Sequence, residues 1–160
     1  MVFFFVLGSF INSLITFFMF KRLSGKPNVE FKDKKASTTF INGGLTYADG
    51  AGGIQPADAT SGNHTGIILR DVLATDADYA AKAKVPVDVA GPNDLFEVDV
   101  PNGDLAVTDV EKTCDLMPNG AGIDPDATSK NVVTIVGFIS PSKAIVKINA
   151  MQGVANVATT

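Results

Sequence analysis

Twice between Lys84 and Val100 the chain alternates apolar and polar residues one for one. Val85, Val87 and Val89 stand against Pro86 and Asp88, then Phe96, Val98 and Val100 against Glu97 and Asp99. Period two marks a strand, because successive side chains leave opposite faces of a sheet. Runs this short, separated by turn residues, leave no length for a helical layer and direct the chain to an all-β fold. Pro86 places its own strand at an edge or beside a bulge, since proline cannot donate a ladder hydrogen bond.

The rest of the body follows the same plan. Thr38–Asn42 and Leu45–Ala48 flank Asn42-Gly43-Gly44, and Asp49-Gly50-Ala51-Gly52-Gly53 follows as a hairpin tip. Asn-Gly and Asp-Gly supply the positive φ angles of tight turns. His64–Leu73 is a further strand candidate, and Pro101-Asn102-Gly103-Asp104 is a turn. Val132–Ile139 is apolar on both faces, as a central strand would be. It breaks at Pro141-Ser142 and returns as Lys143–Asn149, which predicts a closing hairpin.

Helical signal is confined to two turns over Thr75–Lys82, with Thr75 as N-cap, and a capping-box pattern from Thr108 to Glu111. The expectation is a small β-barrel or sandwich of about seven to nine short strands, with one or two short helical turns.

Charge and hydropathy divide the chain into four parts. Residues 1–20 are an apolar leader: Val2–Phe20 carries no charge and holds seven of the chain's 11 phenylalanines. Residues 21–37 read as a basic, flexible and extended N-terminal arm, residues 38–150 as the β domain, and residues 151–160 as a flexible tail. The leader has three readings. Met19 is a plausible start for a soluble protein, with the preceding residues a translated upstream extension. Alternatively the run is a membrane segment of barely sufficient length, with a cytoplasmic body by virtue of Lys21 and Arg22. The third reading is a hydrophobic arm packed on a partner. A secretory signal is disfavoured, because no base precedes the run and no small-x-small site follows it.

The chain is poor in the material of catalysis. One histidine, His64, lies in a stretch that reads as a polar loop entering a strand, with no nucleophile elbow near it. One cysteine, Cys114, excludes an internal disulfide and reads as a partly buried small hydrophobe. The acid pairs Asp76/Asp78, Glu97/Asp99 and Asp124/Asp126 do not continue into a calcium-loop pattern. Asp49–Gly53 has no Lys-Ser/Thr after it and opens no helix, so it is not a phosphate loop. Asn63-His64-Thr65 matches a glycosylation sequon, without a leader that suggests secretion. No enzyme, metal or cofactor is expected. A net charge of −4, and an acidic body beyond residue 35, argue against nucleic acid. The candidate partner-binding residues are the six bases of the arm: Lys21, Arg22, Lys26, Lys32, Lys34 and Lys35.

From about Phe40 to Asn149 the order of strands and turns resembles the head-decoration (capsid cement) proteins of tailed bacteriophages. Gly44-Leu45-Thr46-Tyr47 with the Asp49–Gly53 turn and Gln55-Pro56-Ala57 is similar to their opening strand and turn. Gly66–Val72, Lys84–Val89 and Asp94–Val100 resemble the strands that follow. Asp109-Val110, Cys114-Asp115-Leu116 and Gly122-Ile123-Asp124 sit where such proteins place a loop. Ile135–Phe138 and Lys143–Ile148 resemble the closing hairpin. The resemblance implies a non-enzymatic structural virion protein, assembled in the host cytoplasm onto the capsid exterior. It further implies the major capsid protein as partner and a homo-oligomer, commonly a trimer. The alternative is a membrane-anchored small β-domain.

Overall fold

Phe96, Val98 and Val100 are completely buried, whereas Glu97 and Asp99 face outward, so the alternation between Asp94 and Val100 is one face of a packed sheet. The structure is a computed structural model and describes residues 19–149 except 63, 119 and 121. The expected leader up to residue 18 and the tail from residue 151 lie outside the described residues.

Among the described residues, eleven strands form two antiparallel sheets. In chain order they are β1 (Phe20–Ser24), β2 (Val29–Asp33), β3 (Leu45–Ala48), β4 (Ile54–Pro56), β5 (His64–Ile68), β6 (Lys84–Asp88), β7 (Leu95–Asp99), β8 (Thr113–Leu116), β9 (Ile123–Asp124), β10 (Val133–Ser140) and β11 (Lys143–Ile148). One sheet runs β1-β7-β11-β10-β8-β9 and the other β2-β6-β5-β3-β4. The sheets do not close into a barrel, so the sandwich is the architecture formed. No α-helix occurs among the described residues.

The main core lies between the sheets. Phe20, Phe96, Val98, Cys114, Val133 and Val146 of the six-stranded sheet meet Leu45 and Ile67 of the five-stranded one. A second apolar cluster covers the other face of the five-stranded sheet, where Phe40 and Val72 pack with Ile54, Ile68, Val85 and Val87. Successive residues of β5 therefore serve different cores, Ile67 the first and Ile68 the second. At the end of β2, Lys34 forms a parallel bridge with Ile54, and the Lys35 N–H donates to the Ile54 carbonyl at 2.8 Å. This contact curls the five-stranded sheet around the second cluster.

Several expectations hold in detail. The β10–β11 hairpin turns at Pro141-Ser142, with Ser140 opposite Lys143. The β3–β4 hairpin turns through Asp49–Gly53, where the Asp49 carboxylate accepts the N–H groups of Ala51 and Gly53, both at 2.8 Å. Gly103, at φ +68°, closes the Pro101–Asp104 turn by donating to the Val100 carbonyl.

Others are corrected. Residues 21–37 are not a free arm, because β1 pairs with β7 in one sheet and β2 pairs with β6 in the other. The β fold thus takes in Phe20–Ser24 and Val29–Asp33 and is not confined to residues from 38 onward. Thr38–Asn42 forms only a single bridge, Phe40 to Val72. β6 is an interior strand, and Pro86 is accommodated where the pairing with β5 runs out beyond Ile68 opposite Val87. Thr75–Lys82 is a series of turns with no helix, and the cap is Asp76, whose carboxylate accepts the Leu73 N–H at 2.8 Å. The expected box at Thr108 lies two residues earlier: a 3-10 turn spans Val107–Asp109, and Asp109 accepts the Ala106 N–H at 2.7 Å. The stretches around Cys114 and Ile123, placed in a loop by the resemblance, are the paired strands β8 and β9.

Candidate functional site

The six bases of the N-terminal segment do not form one site. Period two in β1 puts Phe20 and Arg22 on the inner face and Lys21 on the outer. Arg22 therefore enters the gap between the sheets. Its Nε and Nη2 bond both oxygens of Asp88 at 2.7 and 2.8 Å, and its Nη1 reaches Asp94 at 2.5 Å. The guanidinium also lies 4.8 Å from the centre of the Phe96 ring. Asp88 belongs to β6 of one sheet, and Phe96 to β7 of the other. Arg22 is a clamp across the sandwich, a use suited to a planar fork that matches a carboxylate and stacks on an aromatic face.

Lys34 is also internal. Its side chain is fully buried, and Nζ donates to the carbonyls of Tyr79 and Ala81 at 2.8 and 2.7 Å. The contact fastens the 74–81 turns over the second apolar cluster, beside the Tyr79 ring. Lys32 pairs with Glu30 at 2.5 Å and Lys35 donates to Gln55 Oε1 at 3.0 Å. Lys26 is exposed in the β1–β2 connection, and Lys21 lies on the outer face opposite Glu97. Four bases thus remain on the surface, Lys21, Lys26, Lys32 and Lys35, while Arg22 and Lys34 belong to the fold.

The acid pairs are engaged within the chain. Glu97 and Asp99 both accept from Lys143 Nζ, at 2.8 and 3.0 Å. This contact holds Glu97 below the usual carboxylate range and raises Lys143. Asp78 pairs with Arg70, and Asp124 accepts the Asp126 N–H at 3.1 Å. Among the described residues, no three His, Cys, Asp or Glu side chains are grouped so as to hold a metal ion.

His64, expected in a polar loop, is buried in β5, opposite Tyr47. Cys114 is fully buried, and burial, reinforced by Asp115, Asp124 and Asp109, pushes its thiol up to about 12. Such a thiol is no nucleophile at neutral pH. Of the sequon, His64 and Thr65 are buried, and Asn63 lies outside the described residues.

A notch of about 180 Å³ opens beside Met19 at the start of β1, lined by Met19, Phe40, Ile41, Leu45, Pro56 and Ile68 among others. The Thr46 hydroxyl on its wall is already bonded to Thr65 and to the Gly66 carbonyl.

More distinctive is the side of the sandwich where β1 and β2 end their respective sheets. Leu23, Val29 and Phe31 are exposed there at 45, 48 and 64 %. Register places Phe31 opposite Pro86, whose carbonyl accepts the Leu69 N–H at 3.0 Å, and Leu69 is itself 40 % exposed. An apolar row therefore crosses the five-stranded sheet from its open edge. The row was hidden in the sequence by the surrounding charges; the signal available was Val29 and Phe31 alternating with Glu30 and Lys32.

No protein-family model and no curated protein matches the chain. Among the described residues no helix is long and apolar enough to cross a membrane.

Proposed function

We propose that the chain is a non-enzymatic structural protein of a tailed-phage virion that binds the outside of the capsid lattice and stabilises it. The order of strands and turns from Phe40 to Asn149 supports the reading. The observation that carries it is the open β1–β2 side, where exposed apolar residues stand among the surface bases Lys21, Lys26 and Lys32. That composition suits docking on a protein surface with acidic neighbours. Trimeric association at three-fold lattice positions, with the major capsid protein as partner, belongs to the same proposal. Several modest contacts per lattice point would give firm retention.

The test is rebinding of the purified chain to capsids that lack it. Retention that weakens with added salt and on Lys21→Glu plus Lys26→Glu supports the reading. No binding at any salt concentration overturns it.

The alternative, a membrane-anchored small β-domain, rests on the uncharged run Val2–Phe20, of which Phe20 is taken into β1. Retention of the full chain in carbonate-washed membranes would favour that alternative.

A further inference from the structure

We propose that the β1–β2 connection, Gly25-Lys26-Pro27-Asn28, is a preformed recognition tip that presents Lys26 to a carboxylate of the docking partner. The tip belongs to the surface assigned above to the capsid, so its role rests on that reading.

All four residues are exposed, yet each is fixed by something beside it. Gly25, at φ +91°, lies against the Arg22 clamp: a Cβ there would stand 1.8 Å from Asp94 Oδ1 and 2.9 Å from Arg22 Nη1. The same Nη1 reaches Asp94 at 2.5 Å and the Ser24 carbonyl at 3.4 Å. At the other end, Asn28 donates its N–H to Asp88 Oδ1 at 3.1 Å, and its carbonyl accepts the Val89 N–H at 2.9 Å. Asp94 and Asp88 are the two carboxylates that Arg22 joins, so one guanidinium anchors both ends of the connection. Between the anchors, the Pro27 ring sets its own φ near −65° and disfavours helical backbone at Lys26.

Exposed connections are ordinarily the mobile parts of a fold. A lysine carried on a fixed backbone loses less freedom when it docks, and its binding is tighter by that difference. The ammonium donates and never accepts, so the group that it takes is an anion, which on a protein surface is an Asp or Glu carboxylate. Leu23 and Val29, exposed at 45 and 48 %, flank the tip in sequence and give the docked pair apolar neighbours.

The test has two arms. In the first, 15N relaxation of the full chain without capsids, the Gly25, Lys26 and Asn28 amides should match those of β1 and β2, with order parameters of about 0.85, and fall in Pro27→Ala. Wild-type values below about 0.6 overturn the preformed tip, whatever the capsids do. In the second arm, rebinding to capsids that lack the chain, Lys26→Ala should bind about tenfold more weakly and Pro27→Ala about fivefold. Adding Pro27→Ala to Lys26→Ala should weaken binding no further, because a fixed backbone has no effect once the lysine is gone. A proline that serves only the fold would add its loss in both backgrounds. That additivity, or a Lys26→Ala chain that binds as wild type does, overturns the proposal and leaves the capsid reading standing. Wild type that binds at no salt concentration overturns both.

Discussion

Arg22 shows how far a residue's role can depart from its charge. Among six bases it looks like a contact for an acidic partner, yet only 13 % of its side chain is exposed, and it joins Asp88 and Asp94 over the Phe96 ring. Arg22→Ala would strand the Asp88 and Asp94 carboxylates and should cost about 3 kcal/mol of stability in urea unfolding. Arg22→Lys, lacking the fork, should fall between the two. A variant that unfolds at the wild-type urea concentration would sink the clamp. Asp115 is the matching case among the acids. Its buried carboxylate accepts the N–H groups of Ser129, Lys130 and Asn131 and the Ser129 hydroxyl, at 2.6 to 2.8 Å. Burial alone would raise its pKa, but these donors outweigh burial and hold it below the usual value. Asp94 is held low in the same way, burial being outweighed by Arg22 and the Gly91 N–H. With folded values depressed, the unfolded chain binds more protons, so this stability is present above the unfolded pKa near 4 and is lost as pH falls through the folded values. The urea midpoint should therefore be level from pH 7 to about 5 and drop below about 4. Asp115→Asn should be less stable at pH 7, by about 2 kcal/mol, and show a shallower acid limb. An acid limb as steep as wild type would remove Asp115 from the account.

Strands were legible in the sequence where alternation and turn chemistry agreed. β7, with Phe96 and Val98 against Glu97 and Asp99, and the β10–β11 hairpin around Pro141-Ser142 are fixed by neighbours in sequence. β1 and β2 were obscured because β1 buries Arg22, whose partner Asp88 lies 66 residues away, and β2 exposes Val29 and Phe31 while half-burying Glu30 and Lys32. The burial of Lys34 was equally out of reach, since its acceptors are backbone carbonyls of the 74–81 turns, which carry no residue signature. Lys34→Met keeps the stem and removes those bonds. It should speed hydrogen exchange of the amides between residues 74 and 82 more than those of β10 and β11; equal acceleration would mean that the amine is not a local pin. Glycines separate in the same way by what surrounds them. Gly66, at φ +146°, lies so close to β6 that a Cβ would stand 2.3 Å from Val87 Cγ1 and 2.8 Å from the Asp88 carbonyl oxygen. Gly66→Ala should cost about 3 kcal/mol or more by forcing β5 from β6. Gly52→Ala, at φ +85° in the hairpin tip with open space around it, should cost about 1 kcal/mol from backbone strain alone. Urea unfolding of the two variants side by side decides between close approach and φ as the cause.

At the scale of the molecule, the sheets share one core and are tied again at the start of β1. There Gly43 accepts the Phe20 N–H through its carbonyl and donates its own N–H to Ile68, both at 2.9 Å, so one residue links β1 of the first sheet to β5 of the second. Two sheets built this way should open as one unit. Cys114 is placed to report it: fully buried in the six-stranded sheet, it has a thiol pushed up to about 12 and should not react with thiol reagents while the fold is closed. Labelling then measures opening. Gly66→Ala acts first on β5 and β6 of the opposite sheet, and Arg22→Ala removes the clamp between sheets. If unfolding is cooperative, each should accelerate Cys114 labelling about tenfold for every 1.4 kcal/mol it costs in urea. If the sheets open separately, Gly66→Ala will lower stability by the probes of its own sheet and leave Cys114 labelling at the wild-type rate. The comparison distinguishes a sandwich held by a common core from two sheets that merely touch.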